Sequence, residues 1–178
     1  MVEITKTLAE YDNKDKQKFF EIKTLIYEML VCSLDNFGDH LGNIYQLLIP
    51  PAKQKAEGQF FTPYCLAILC AKMSLNIDKF KTKDVVTIND SCVGAGGMVI
   101  AVCEVLYTHG INYTAKALIV CNDIDLFCCE MAYVQLSFIG ASAIIEHKNT
   151  LTQQKWDEFR TLGYLLMPNL KTLLKNSG

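Results

Sequence analysis

Apolar side chains recur at helical spacing in the first third of the chain and form short unbroken runs after it. The repeat between residues 16 and 34 predicts an amphipathic helix. A second helix is predicted from residue 37 to residue 48 and ends before Pro50-Pro51, because proline lacks the amide hydrogen of a helix interior. Its inward face is predicted to carry Leu41, Ile44, Tyr45 and Leu48. Residues 52–61 predict an exposed loop.

A third helix is predicted to begin at Thr62-Pro63, with Thr62 as the N-cap and Pro63 in the first turn. We expect four apolar residues of this helix to face inward, namely Leu66, Leu69, Cys70 and Met73. Strands and helices then alternate, with strands at 85–88, 117–121, 143–146 and 164–167, and helices at 98–107, 126–139 and 153–160. This order predicts an α/β fold whose mostly parallel sheet has helices on both faces.

Composition and charge narrow the class of protein. The 178 residues are 51% hydrophobic and 20% charged, which indicates a folded domain and excludes a disordered chain. Apolar runs are far shorter than the roughly 18 residues that cross a bilayer, and no signal peptide is visible at the start, so we expect a cytoplasmic protein without membrane contact. With 17 basic and 19 acidic residues and a single arginine, the chain alone is expected to bind DNA only weakly.

The eight cysteines do not form a metal-binding pattern. There is no Cys-x-x-Cys pair, and the three histidines lack ligand spacing, so we expect no metal site. Most of the cysteines lie in apolar stretches that are typical of reduced core residues. The neighbours Cys128 and Cys129 cannot face the same side of a helix, so one of them is expected at the surface.

The strongest local signal for chemistry is a glycine turn after the first strand. The strand runs into Asp90, and Gly94 and Gly96 follow just before a helix. Glycines let backbone amides approach a ligand closely, and the start of a helix favours negative charge. The turn therefore predicts a ligand site, and the alternative is a tight turn that binds nothing.

Two familiar ligand classes do not fit this turn. A phosphate-binding loop needs Gly-Lys-Ser/Thr, but Gly97 is followed by Met98. A dinucleotide-binding fingerprint needs a third glycine where this chain has Val99. The spacing Asp90-x-x-x-Gly94-x-Gly96 does fit the turn that binds S-adenosylmethionine.

Two more segments carry candidate residues. Asp123 and Asp125 follow the second strand, at the edge where open parallel sheets bind ligands. Asp123 is interpreted as an acceptor for a ribose diol, and Asp125 as the cap of the next helix. Residues 58–63 read Gly-Gln-Phe-Phe-Thr-Pro, for which a hydrophobic staple is the alternative to a ligand contact.

Together, Gln59-Phe60-Phe61-Thr62-Pro63, the glycine turn and Asn122-Asp123-Ile124-Asp125 resemble the methylation subunit of type I restriction-modification systems, from about residue 37 to residue 151. These subunits are S-adenosylmethionine-dependent adenine-N6 DNA methyltransferases. The resemblance implies a partial Rossmann-like methyltransferase fold with an N-terminal helical preface, S-adenosylmethionine as cofactor, and restriction-modification subunits as partners. The expected domains are a helical segment at 1–61, a cofactor-binding domain at 62–168 and a tail at 169–178.

The resemblance also implies roles for single residues. The methionine end of the cofactor would be lined by Phe61, Thr62 and Pro63. The amino group would be met by Asp90, with the backbone of the turn passing beneath it at Gly94 and Gly96. The ribose and the adenine would be contacted by Asp123, Ile124 and Asn149, the last of which replaces the aspartate usual in the family.

One departure from the family concerns catalysis. Its members carry Asn/Asp-Pro-Pro-Phe/Tyr after the third strand, where the aromatic ring stacks on a flipped base. Residues 167–170 have one proline and no aromatic, and the Pro50-Pro51 pair precedes the cofactor turn. We therefore expect no catalytic residue, and a cofactor-binding domain that is weak or inactive alone. The alternatives are an active adenine-specific methyltransferase completed by a partner or by further sequence, and a non-catalytic interaction scaffold.

The length of the chain also indicates an incomplete methyltransferase, because fewer strands fit after residue 85 than a complete methyltransferase sheet contains. The chain is therefore expected to be either a piece of a longer protein or a compact relative that keeps the cofactor-binding half.

Overall fold

The computed structural model describes residues 37–48 and 61–168, together with scattered helical positions between 17 and 31. Most of the helix predicted at 16–34, the loop at 52–60 and the tail at 169–178 lie outside the described residues. Of the helices that are described, none is both long and apolar enough to span a bilayer. The expected division into three segments stays a prediction.

Four strands of the described chain form one sheet in sequential order. They are β1 (Val86–Asp90), β2 (Ala117–Asp123), β3 (Ala143–Lys148) and β4 (Lys155–Arg160). The first three are parallel, with Val86 opposite Ala117 and Ile119 opposite Ala143, whereas β4 is antiparallel to β3. The predicted α/β class with a mostly parallel sheet is confirmed.

Seven helices accompany the sheet within the described residues. They are α1 (His40–Leu48), α2 (Tyr64–Ser74), α3 (Ile77–Thr82), α4 (Gly97–Thr108), α5 (Tyr113–Lys116), α6 (Leu126–Phe138) and α7 (Leu162–Leu165). The crossovers between the parallel strands contain α4 and α6, as a parallel sheet requires. The two long crossover helices thus follow the strands that carry the glycine turn and Asp123.

The main core lies between the sheet and the helices α4 and α6, where Ile119, Cys121 and Ile145 are fully buried. On the edge strand, Phe159 packs on Tyr133 of α6, with ring centroids 5.7 Å apart. Since successive strand residues face opposite sides, the next residue projects to the other face. There the Arg160 guanidinium lies 5.5 Å from the ring centroid of Tyr164 in α7. The two long crossover helices therefore pack on the sheet, and the short helix α7 contacts the edge strand through Arg160.

The inward face predicted for the third helix is wrong. Leu66, Leu69 and Met73 of α2 are 49%, 52% and 79% exposed, and Cys70 is exposed as well. The buried positions are Ala67 and Ala71. These small side chains allow a close approach of α2 to α4, and helix separation depends on the side chains at the contact.

The ends and faces of two helices also differ from prediction. The N-cap of α2 is Pro63 rather than Thr62, and no side chain caps this helix. In α1, Leu48 is 74% exposed and Gly42 is the buried residue, because the start of this helix lies over Asp39. The Cys128-Cys129 pair is buried at both positions, since α6 packs against the sheet on one side and against Ala95 of the turn on another.

The last two predicted elements exchange types. Most of the helix predicted at 153–160 is the strand β4, and the strand predicted at 164–167 overlaps the end of the helix α7. Asn149 forms the turn that reverses the chain, accepting from the backbone N–H groups of Leu151 and Thr152. This reversal brings 155–160 alongside β3, and pairing with that strand outweighs local helix preference.

Candidate functional site

The candidate site lies at the edge of the sheet where β1, β2 and β3 end. Parallel strands end at the same edge, so Asp90 and Asp123 come together although they are far apart in sequence. The edge also holds the glycine turn and, from the segment before α2, Phe61. The structure thus brings the three sequence signals to one place.

The glycine turn has the backbone that its sequence predicts. Gly94 has φ +55° and Gly96 has φ +100°, both in the left-handed region that favours glycine. A Cβ on Gly94 would lie 3.0 Å from Cε1 of Phe61, so this ring lies directly against the bare backbone. The Gly96 amide donates to the Val93 carbonyl oxygen at 2.9 Å, and α4 begins at Gly97. The turn can therefore present backbone to a ligand, with Phe61 beside it.

Asp123 links the end of β2 to this turn. Its Oδ2 accepts from the Gly94 amide at 2.9 Å, and its Oδ1 accepts from the Asp125 amide at 3.0 Å. A carboxylate has about four lone-pair positions, so both oxygens keep capacity for a ligand hydroxyl. Asp125 accepts from the Phe127 amide at 2.8 Å, which confirms it as the N-cap of α6.

Asp90 is the second carboxylate of the site. Burial raises its pKa, and the nearby negative charge of Asp123 raises the pKa further, while the amide of Cys92, which donates to Oδ1 at 3.1 Å, lowers it. Two carboxylates at one edge make a site of negative potential. Such a site favours a cation such as an ammonium group.

A small cavity of about 60 Å³ lies beside the turn. Its lining includes Asp39, Phe61, Thr62, Cys92, Gly94 and Met98. Pockets that enclose a drug-sized ligand hold roughly 300–1,000 Å³, so this cavity can enclose only one end of a longer ligand. Thr62 lines the cavity, whereas Pro63 lies at the start of α2 and outside that lining, and the contact of either residue with the cofactor stays a prediction.

Two buried residues of the site were not predicted from sequence. Asp39 is 4% exposed, and its Oδ1 accepts from the Gly42 amide and from Nε2 of Gln135, both at 2.9 Å. Nε2 of Gln135 also donates to the Ala95 carbonyl oxygen at 2.7 Å, and its Oε1 accepts from the Leu41 amide at 3.0 Å. Two features of the sequence could have indicated these residues. Asp39 stands three residues before Gly42, where an aspartate can cap a helix, and Gln135 is the single glutamine in an apolar helix.

The residues expected near an adenine lie at the ends of β2 and β3. Ile124 is 61% exposed and its carbonyl oxygen lies 3.1 Å from Nε2 of His147. The side-chain oxygen of Asn149 is already engaged by the backbone of its own turn, at 2.9 Å and 3.1 Å. A ligand contact by Asn149 thus stays a prediction. The Oδ1 atom that would accept from the ligand already accepts from two backbone amides.

A polar network holds the three loops of this edge together. Nδ2 of the buried Asn122 donates to the Ser91 carbonyl oxygen at 3.0 Å and to Oγ1 of Thr150 at 2.6 Å. The Thr150 hydroxyl donates to the same Ser91 oxygen at 2.7 Å. The end of β2 is therefore tied to the loops that follow β1 and β3.

Comparison with known proteins finds one family model and a similar solved structure. The model of the family described as N-6 DNA Methylase matches residues 36–170. No curated protein matches the chain. Among solved structures, the chain is similar to a class I S-adenosylmethionine-dependent methyltransferase from Listeria monocytogenes, with 15% identity and a TM-score of 0.38. The match covers 63% of this chain and 34% of that one, so the chain spans about a third of that protein.

Proposed function

The chain belongs to the N-6 DNA methylase family, and from that premise we propose that residues 61–150 form the S-adenosylmethionine site of a restriction-modification methyltransferase. S-adenosylmethionine is the cofactor that membership of this family implies. One observation carries the proposal: three distant segments converge, because Phe61 lies against Gly94 and Gly94 donates to Asp123.

The residues at this edge fit the polar groups of the cofactor. Asp90 offers a carboxylate for the ammonium of the methionine end, and Asp123 offers lone pairs for the ribose diol. The left-handed backbone of Gly94 and Gly96 shapes the turn, and the Phe61 ring packs directly against Gly94. The exposed side chain of Ile124 offers an apolar surface for a purine. When bound, the cofactor supplies the methyl group for transfer.

Methyl transfer to adenine needs groups that residues 1–178 do not contain. The chain has four prolines, and none belongs to an Asn/Asp-Pro-Pro-Phe/Tyr sequence. We therefore assign cofactor binding to this chain, and the catalytic loop and most DNA contacts to a partner subunit or to sequence outside these residues. Alone, the chain should methylate DNA weakly or not at all. Its even charge balance of 17 basic and 19 acidic residues also favours weak binding to the phosphate backbone of DNA.

Calorimetric titration with S-adenosylmethionine and S-adenosylhomocysteine tests cofactor binding. We expect saturable binding of both, because they share the ammonium, ribose and adenine groups that the site residues face. Methionine and adenosine titrated separately should each bind more weakly than the whole molecule. Absence of binding at millimolar cofactor would reject the proposal and favour the non-catalytic scaffold.

A methyl-transfer assay separates the proposal from the active alternative. Purified chain, radiolabelled cofactor and adenine-containing duplex DNA should give no more label in DNA than cofactor without protein. Transfer by the chain alone would contradict the assignment of the catalytic loop to another polypeptide. Transfer that appears only after a partner subunit is added would support it.

Replacing Asp90 by asparagine should stabilise the fold and weaken cofactor binding. Because the pKa of Asp90 is raised in the folded state, its ionised form lowers stability at neutral pH, and stability rises as the pH falls through that raised pKa. Asparagine still accepts from the Cys92 amide but carries no charge for the ammonium. The loss of binding should be about tenfold or more, as for hydrogen bonds to charged groups.

Thermal melts over a pH series and calorimetry measure both effects of Asp90→Asn. The melting temperature should rise at neutral pH, and the difference from the parent protein should shrink as the pH falls. Asp157→Asn, at an exposed aspartate of β4, is the control and should change neither property much. A lower melting temperature for Asp90→Asn at neutral pH would contradict the argument from burial.

A further inference from the structure

A pair of rings, half-buried His147 and exposed Trp156, lies next to the site and has no role in the function proposed above. The rings of His147 and Trp156 have centroids 4.7 Å apart and an interplanar angle of 38°. Trp156 is 47% exposed, and Nε2 of His147 lies 3.1 Å from the carbonyl oxygen of Ile124. We call these two rings the Trp156 shelf. We propose that the shelf binds the adenine ring of the cofactor by stacking, an inference that rests on the proposed S-adenosylmethionine site.

Strand register places the shelf at the correct position for a base. Asp123 and His147 are partners in the parallel pairing of β2 and β3, and neighbouring strands lie about 4.8 Å apart. A nucleoside whose diol binds Asp123 can direct its base toward β1 or toward β3. The β1 side holds Asp90 and the glycine turn, which the methionine end occupies. The base is thus directed toward β3, where His147 and Trp156 lie.

A break in the strand pairing sets the position of Trp156. His147 pairs with Asp157 and Lys148 pairs with Lys155, so Trp156 is an extra residue in β4 without a partner in β3. Bulges of this kind redirect side chains and are common next to active sites. Trp156 belongs to no buried cluster of the described residues, so packing of the core does not account for its place.

The chemistry of the shelf suits a purine. Base–aromatic stacking contributes about 1–3 kcal/mol per base, and it tolerates any base because every base has a π-face. The sequence assigns Ile124 to the adenine, and its side chain is exposed. The carbonyl oxygen of Ile124 lies within hydrogen-bond distance of Nε2 of His147 in the shelf. The shelf therefore supplies the flat aromatic surface that Ile124 alone cannot offer.

The sequence provides a direct probe, because Trp156 is the single tryptophan of the chain. Emission from the parent protein, excited at the red edge of tryptophan absorption, should fall on titration with S-adenosylhomocysteine. The change should saturate with the dissociation constant found by calorimetry. Adenosine should also quench the emission, whereas methionine should not.

Variants at Trp156 measure how much its ring contributes to the affinity for S-adenosylhomocysteine. Trp156→Leu should weaken S-adenosylhomocysteine binding about tenfold, and Trp156→Phe should retain most of it because a ring is kept. Leu162→Ala, at another exposed apolar residue outside the site, is the matched control and should leave binding unchanged. Trp156 and Leu162 are both exposed, so all three substitutions are compatible with folding, which circular dichroism would verify.

The outcomes separate this inference from the proposed function. Calorimetric binding with unchanged emission, and with equal affinity for Trp156→Leu, would overturn the shelf and leave the cofactor site intact. No binding of S-adenosylhomocysteine would overturn both. A change in emission caused by single-stranded oligonucleotide but not by S-adenosylhomocysteine would overturn the cofactor assignment and indicate a nucleic-acid base as the stacked group.

Discussion

Replacing Gln135 by alanine should lower the free energy of unfolding by about 3–4 kcal/mol. The amide of Gln135 is 2% exposed and serves three groups at once. It donates to Asp39 and to the Ala95 carbonyl oxygen, and it accepts from the Leu41 amide. Alanine would leave all three without this partner in a buried region, where an unsatisfied polar group costs about 1–3 kcal/mol and a charged one more.

Urea unfolding followed by circular dichroism measures the effect of Gln135→Ala. Gln154→Ala, at an exposed glutamine before β4, is the control and should stay within about 0.5 kcal/mol of the parent. The double variant with Asp39→Ala should cost less than the sum of the two single variants, because the residues share one hydrogen bond. A loss below 1 kcal/mol for Gln135→Ala would show that the network adds little to stability.

Replacing Asp123 by alanine should weaken S-adenosylmethionine binding by about 1–3 kcal/mol, which is roughly 5-fold to 150-fold. Two causes act together in this variant. The ribose hydroxyls lose their proposed acceptor, and the amides of Gly94 and Asp125 lose theirs. The turn that faces the methionine end is then no longer held to the end of β2.

Calorimetry on Asp123→Ala and Asp123→Asn separates the two causes. Asparagine has a single acceptor oxygen, so it can accept only some of the hydrogen bonds that the carboxylate of Asp123 accepts. The affinity of Asp123→Asn for the cofactor should therefore lie between those of the parent and the alanine variant. Asp125→Asn is the matched control, because asparagine also caps helices well and removes a neighbouring negative charge. Unchanged affinity for Asp123→Ala in a folded protein would remove Asp123 from the site.

The sequence predicted those parts of the fold in which local pattern and tertiary context agree. The strands β2 and β3 begin with apolar runs whose residues are buried or half-buried, as expected in a parallel sheet. In β1, half-buried Val86 and Ile88 alternate with exposed residues, which is the period of a strand with one covered face. The glycine turn was predictable for a similar reason, since the positive φ of Gly94 and Gly96 excludes most other residues. Asp125 as a cap depends only on its neighbours in sequence.

Residues with two compatible environments were not predictable. Leu66, Leu69 and Met73 have the spacing of a core face, but the contact with α4 selects Ala67 and Ala71 because two helices approach most closely over small side chains. Residues 155–160 can form a helix or a strand by local preference, and the free edge of β3 decides for the strand.

The sequence by itself determined the class of fold, the three motifs and the family, because each depends on residue types at fixed spacing along the chain. Only the tertiary structure decided which distant groups meet. The Asp39–Gln135 pair and the placement of Trp156 beside His147 join residues on separate elements. Such contacts depend on how helices and strands pack and register against one another, and that information lies in the assembled sheet rather than in any local pattern.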